Sequence, residues 1–293
     1  MLKFGEVLTA MVTPFDRTGE IDWAALDTLV EHLLHNASDT LVVAGSTGES
    51  ATLSVEEKVA LFSHVVQKVA GRAKVIAGTG SNDTKASVVL TKAAEAADVD
   101  GVMLVAPYYN KPPQEALYAH FATVANAINL PVLVYNVPGR TSCNILPTTV
   151  ARLAQIDNIF GVKEASGNLD QVSEIARLVP EDFVIYSGDD SLTLPILAVG
   201  GHGVVSVASH LIGRQLKQMV QAYQSGAVLE ALRIHQQIYP ICKAMFITSN
   251  PMPLKSALNM IGVQVGGLRL PLVACSLAEE RAIRSALEDF GLL

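Results

Sequence analysis

Asn158-Ile159-Phe160-Gly161-Val162-Lys163-Glu164-Ala165-Ser166-Gly167 decides the fold. A short apolar run, Ile159–Val162, ends on a lysine and breaks into small polar residues. This is the pattern of a buried parallel strand that delivers Lys163 at its carboxyl end. A lysine so placed is poorly hydrated, which disfavours its ammonium form and leaves free amine able to attack a carbonyl and form a Schiff base. Read in isolation, the stretch also fits a lysine that has reached the surface or that pairs with Glu164. The rest of the chain decides between these readings.

Working outward, seven further runs share its form. Val7–Val12, Thr40–Ala44, Lys74–Ala77, Gly101–Ala106, Pro131–Tyr135, Phe183–Tyr186 and Gly203–Val207 are short, rich in β-branched residues and bounded by turn formers. Segments with helical periodicity lie between them. Asp22–Asn36 opens on a capping aspartate and carries Trp23, Leu26, Leu29, Val30, Leu33 and Leu34 on its apolar face. Ser54-Val55-Glu56-Glu57 is a capping box for a helix that Gly71 terminates. Further helices are expected over Asp83–Ala97, Gln114–Asn129, Pro147–Gln155, Leu169–Leu178, Ser191–Val199 and Gln215–Ser225.

Strands recur roughly every 20 to 35 residues, the spacing of βα units, and eight units predict a (β/α)₈ barrel. An open doubly wound sheet is the alternative, but the glycine fingerprint after the first strand is missing. After Ser225 no strand is expected. Leu229–Ala244, Pro253–Ile261 and Ser276–Asp289 read as helices, so the expected division is a barrel over 1–225 and a helical appendage over 226–293.

Composition narrows the function. Of 293 residues, 50% are hydrophobic and 17% charged, which suits a buried parallel sheet and subunit interfaces. The mean hydropathy of +0.35 raises the question of a membrane span. Leu192–Ala208, the longest apolar region, is broken by Pro195, Gly200, Gly201, His202 and Gly203, short of the ~20 residues a span needs. A net charge of −7 with no basic stripe argues against nucleic acid. Cys143, Cys242 and Cys275 are odd in number and lack CxxC spacing, and the start of the chain carries no cleavage pattern. Both features point to a cytoplasmic protein with reduced thiols.

Barrel enzymes place their chemistry at the carboxyl ends of the strands. Gly45-Ser46-Thr47-Gly48-Glu49, Tyr108-Tyr109-Asn110, Tyr135 with Arg140, Lys163-Glu164, Gly188-Asp189-Asp190 and Ser206 all fall there. Tyrosine and threonine hydroxyls can carry the protons that loss of water from a carbinolamine requires, without a metal or cofactor. A glycine-rich turn can bind one carboxylate and the Arg140 guanidinium a second. Each element also has a plain structural use: a tight turn, packed aromatics, a solvated arginine, and Asp189-Asp190 as helix caps. A metal-dependent aldolase would need ligand spacing that is missing, and His32 and His35, three apart on a helix, read as solvated. Gly200-Gly201-His202-Gly203 precedes the last strand, the wrong end for a phosphate cradle.

Gly45–Glu49, Tyr135-Asn136-Val137-Pro138-Gly139-Arg140-Thr141 and Gly161–Ser166 together make the chain resemble the pyruvate-dependent class I aldolases, the family of dihydrodipicolinate synthases and N-acetylneuraminate lyases. The resemblance runs over nearly the whole chain. It implies a Schiff base between Lys163 and pyruvate, with Tyr135, Thr47 and Tyr109 as a hydroxyl relay in which Tyr109 reaches a neighbouring subunit's site. It further implies that Ser46 and Thr47 hold the pyruvate carboxylate, that Gly188 and Val205 line the pocket, and that the protein is a homotetramer built as a dimer of dimers.

Within the family, Arg140 favours the synthases, where the matching arginine binds the carboxylate of aspartate semialdehyde; the sialic acid lyases lack it. Ser46 departs from the threonine of many synthases, and Ser-Thr is common in the lyases. A hydroxyl is retained either way, whereas a guanidinium has no local substitute. The alternatives are a lyase for sialic acid, an aldolase for 2-keto-3-deoxy sugar acids, and a non-catalytic keto-acid binding protein. Ser50, Ala51, Asn82 and Tyr108 match the lysine-binding site of feedback-inhibited synthases. Val55 and Lys58 replace its histidines and Ala86 its glutamate, so weak or absent lysine inhibition is expected.

Overall fold

The computed structural model describes residues 4–293. Eight parallel strands close into a barrel in sequence order, with β8 returning to pair with β1. In chain order the first half is β1 (Val7–Ala10), α1 (Trp23–His35), β2 (Thr40–Val43), α2 (Val55–Val69), β3 (Lys74–Gly78), α3 (Thr84–Ala96), β4 (Gly101–Val105) and α4 (Gln114–Ala125). There follow β5 (Val132–Asn136), α5 (Pro138–Thr141), α6 (Pro147–Leu153), β6 (Ile159–Glu164), α7 (Leu169–Leu178), β7 (Val184–Ser187), α8 (Thr193–Ala198), β8 (Gly203–Ser206) and α9 (Ser209–Gln224). Three more helices complete the chain: α10 (Val228–Ala244), α11 (Met252–Met260) and α12 (Leu277–Phe290). Among the described residues, no helix is long and apolar enough to cross a membrane.

Alternation along each strand makes two cores. Leu8, Val42, Ile76, Met103, Leu133, Tyr135, Tyr186 and Val205 fill the barrel interior. The other parity, with Val43, Leu104, Val134, Val162 and Val204, packs under the helices in a cluster that runs on into α10, α11 and α12. Tyr135 and Lys163 are Cα partners across β5 and β6, so they share a face. A register slip of one residue would turn Lys163 out among the helices. At the amino-terminal end, Phe4 stacks on Phe160 with centroids 4.6 Å apart and the Tyr186 hydroxyl donates to the Gly5 carbonyl at 2.8 Å.

The helix signals act as their chemistry requires, with some differences in extent. Asp22 caps α1 by accepting from Ala25 N, and Ser54 and Glu57 form both halves of the capping box. The α2 helix closes one residue before Gly71, with Ala70 in the left-handed conformation. Trp23 is 38% exposed instead of core-facing and packs on the His64 ring. The helix expected to reach Asn129 ends at Ala125. The last barrel helix starts at Ser209, not Gln215, a first turn that joins the main helix across a kink at Ile212, where φ is −129°. His32 is not simply solvated: its Nε2 lies 2.6 Å from the His210 carbonyl.

Candidate active site

Lys163 is the last but one residue of β6 and is 5% exposed. Burial pulls its pKa from 10.5 down to about 7; nearby Asp190 opposes the fall and the Arg140 charge adds to it. Tyr135, on the adjacent strand, is pushed up to about 12 by burial, partly offset by Arg140 and by a hydrogen bond with Ser46. At neutral pH the pair therefore combines a partly free amine with a protonated phenol. The first can act as a nucleophile and the second as a proton donor.

These two groups open onto a cavity of about 160 Å³ lined in part by Ser46, Thr47, Arg140, Gly188, Phe246 and Asn250. It is small beside the pockets of drug-sized ligands and suits a short acid. Gly188 keeps it open. A Cβ there would lie 2.7 Å from the Ala165 side chain and 3.1 Å from Lys163 Cε.

The Gly45–Glu49 turn is held from two sides. Gly48 N donates to Gly45 O, Glu49 N to Ser46 O and Ser50 N to Gly45 O, while the Thr13 hydroxyl bonds the Gly48 carbonyl. The backbone N–H groups of Ser46 and Thr47 take no part in these bonds. They are available to a carboxylate, as an anion-binding turn requires. Beneath the turn, Glu49 (φ 56°) pairs with Lys255 of α11 at 2.6 Å, and both side chains are buried.

Arg140 is set by α5, the short helix that starts directly after β5. Its Nη2 donates to the Asn250 carbonyl at 3.2 Å, which aims the guanidinium across the cavity mouth.

Not every expected residue converges here. Tyr109 is 88% exposed, has φ +74° and does not line the cavity. Val205 packs inside the barrel, and Val207 lines the cavity instead. Asp189 does cap, accepting from Ser191 N, but Asp190 does not. Asp190 is buried and clamps the end of β8, accepting from Ser206 Oγ and from Val207 N and Ala208 N at 3.0 Å. Glu164 likewise turns away from Lys163 to accept from Asn136, Ser166 N and Gln171.

Of the residues matching a lysine site, Ser50, Ala51 and Tyr108 line an adjoining cavity of about 440 Å³ together with Lys58. Asn82 lies outside that lining, its carbonyl bonded by Asn110.

Phe246, Asn250 and Lys255 were not legible as site residues. They lie beyond the last strand, where inspection of strand ends does not reach. Among the described residues there is no cluster of metal-ligating side chains.

Comparison with known proteins agrees with this geometry. A profile of the Dihydrodipicolinate synthetase family matches residues 3–290. The 4-hydroxy-tetrahydrodipicolinate synthase of Heliobacterium modesticaldum is 56% identical over 291 residues, covering 99% of this chain and 97% of its own. Among solved structures, a dihydrodipicolinate synthase from Cyanidioschyzon merolae with lysine bound superposes with a TM-score of 0.97 at 47% identity, covering 99% of each chain. The chloride-inhibited enzyme of Acinetobacter baumannii complexed with pyruvate gives 0.96 at 34% identity, covering 99% of this chain and 100% of that one. On sequence and structure alike, the chain belongs to the dihydrodipicolinate synthetase family.

Proposed function

We propose that this chain condenses pyruvate with L-aspartate 4-semialdehyde, yielding 4-hydroxy-tetrahydrodipicolinate for diaminopimelate and lysine biosynthesis. One observation carries the proposal: a buried lysine with its pKa near 7 stands last but one in β6 beneath Tyr135, in a small cavity whose lining includes Arg140.

The chemistry follows from these groups. The Lys163 amine adds to the pyruvate keto carbon, and Tyr135 protonates the oxygen as it leaves as water, giving an iminium ion. Loss of a methyl proton gives an enamine, whose carbon attacks the aldehyde; the aldehyde oxygen takes up a proton and becomes a hydroxyl. The semialdehyde's own amine then displaces Lys163, closing the ring and freeing the enzyme. The Ser46 and Thr47 N–H groups bind the pyruvate carboxylate, Thr47 passes protons with Tyr135, and Gly188 leaves room for the adduct. Arg140 binds the semialdehyde's carboxylate by its fork of donors. A sialic acid or keto-deoxy sugar acid would leave that guanidinium without its partner.

The protein acts as a homotetramer, a dimer of dimers in which Tyr109 crosses the tight interface to complete a neighbouring subunit's relay. A large ring 88% exposed on a loop with positive φ supports this reading, since a second copy would bury it.

The test is pyruvate-dependent consumption of aspartate semialdehyde, coupled to a reductase that oxidises NADPH. Turnover is expected, with loss in Lys163→Ala. A folded protein that traps pyruvate under borohydride yet consumes no semialdehyde would transfer the assignment to the sugar acid aldolases.

A further inference from the structure

Asn250 precedes α11, in the connection from α10, and is 6% exposed. Its Nδ2 donates to Thr47 Oγ1 at 2.9 Å, across 203 residues of sequence. Its backbone carbonyl receives Arg140, and its Oδ1 is buried without a hydrogen-bond partner in the chain. The direction of the amide follows from counting. As placed, the amide leaves one acceptor and one N–H unpaired; reversed, it would leave two N–H donors unpaired, and a buried N–H without a partner is rarer than a carbonyl oxygen without one.

A hydroxyl donates one proton and accepts two. With the Asn250 amide on one acceptor position, the Thr47 proton must be donated elsewhere, and Thr47 borders the cavity that Lys163 and Tyr135 share. Left alone, a threonine hydroxyl rotates and bonds nearby backbone carbonyls instead. We propose that Asn250 is a positioning residue that fixes the Thr47 hydroxyl with its proton directed into the cavity. It thereby links the helices beyond the barrel to proton transfer at Lys163. This rests on the role given above to Thr47 in the pyruvate reaction.

A double-mutant cycle tests it, using Asn250→Ala, Thr47→Val and the double variant. Each is read both as turnover and as the rate of pyruvate-dependent borohydride trapping, with melting temperature as the check on folding. Asn250→Ala keeps the backbone carbonyl that holds Arg140, so the KM for semialdehyde stays near that of the unaltered enzyme. Its kcat is expected to fall about 10- to 100-fold, at or below the lower end of the range ascribed to positioned proton transfer, because the Thr47 hydroxyl itself is retained. Because Asn250 acts through Thr47, the double variant should be no slower than Thr47→Val alone. Asn250→Asp, which only accepts, should turn the hydroxyl away and be slower than Asn250→Ala.

Losses that multiply in the double variant, or an undiminished kcat in Asn250→Ala, would overturn the proposal. If Thr47→Val melts early, Thr47→Ala takes its place in the cycle. Since trapping needs no aldehyde, the cycle is readable even if the semialdehyde is not the substrate. Failure of this inference is thus separable from failure of the assigned reaction.

Discussion

The Lys163 Nζ lies 4.1 Å from the centroid of the Tyr135 ring. A cation over an aromatic face gains up to about 2 kcal/mol when desolvated, which alone would favour the ammonium form. Burial acts the other way and dominates, leaving the pKa at about 7. The ring therefore caps an amine that is substantially uncharged at neutral pH. The rate of pyruvate-dependent inactivation by borohydride should rise with pH through a midpoint near 7 and then level off. A midpoint near 10.5 would mean an ordinary lysine.

The same shift makes Lys163 a cost to folding. Below pH 7 both folded and unfolded chains carry its proton, and the folded state bears the full expense of the buried charge. Between pH 7 and 10.5 the unfolded chain binds a proton that the folded one lacks, so stability rises with pH across this window. Lys163→Met should abolish turnover yet stabilise the fold at pH 6 by an amount on the order of a few kcal/mol. Urea denaturation at two pH values checks this, and the gain should shrink towards pH 10.

In the proposed reaction Arg140 bears on both substrates. Arg140→Ala removes a positive charge that lowers the Lys163 pKa, so the trapping midpoint should move to higher pH. Loss of a charge-assisted bond worth about 1.5–3 kcal/mol should raise KM for the semialdehyde by about 10- to 100-fold. Pyruvate trapping should persist above the new midpoint. Equal losses in both reactions would refute a role in binding the second substrate.

Lys255 holds the Thr47 turn from below. It is 1% exposed, pairs with Glu49 at 2.6 Å and also donates to the Gly267 carbonyl at 2.7 Å. Lys255→Met strands the Glu49 carboxylate in the interior and should destabilise the protein by about 3–5 kcal/mol. Activity should fall with it, as the turn loses its anchor. A melting temperature equal to that of the unaltered protein would count against this account.

The cavity beside the site contains the Lys58 ammonium, whose pKa burial already lowers. A free lysine entering it would bring a second cation into a space that disfavours the first. Millimolar lysine should inhibit turnover weakly or not at all, in contrast to what strong feedback would give. Half-inhibition in the micromolar range would sink this prediction.

How much was legible follows from the range of each signal. Capping at Asp22 and Ser54 and the strand at Ile159–Lys163 are encoded within a few residues, and the structure reproduces them, the strand running one residue further to Glu164. The short α5 was missed because Pro138-Gly139 reads as a turn, although proline at the first helical position is compatible with a helix. Asp190 resembled a cap because its partners at Ser206 through Ala208 are 16 to 18 residues away.

The sequence by itself determined eight strands, the lysine at the end of the sixth and the family, because periodicity and strand-end chemistry are local properties. Only the tertiary structure decided that Lys163 is desolvated, that Thr47 is bound by Asn250 and that Lys255 supports Glu49. Those facts depend on barrel closure and on helices folding back over its mouth. The last two are made by contacts between residues about two hundred positions apart, on which no local pattern bears.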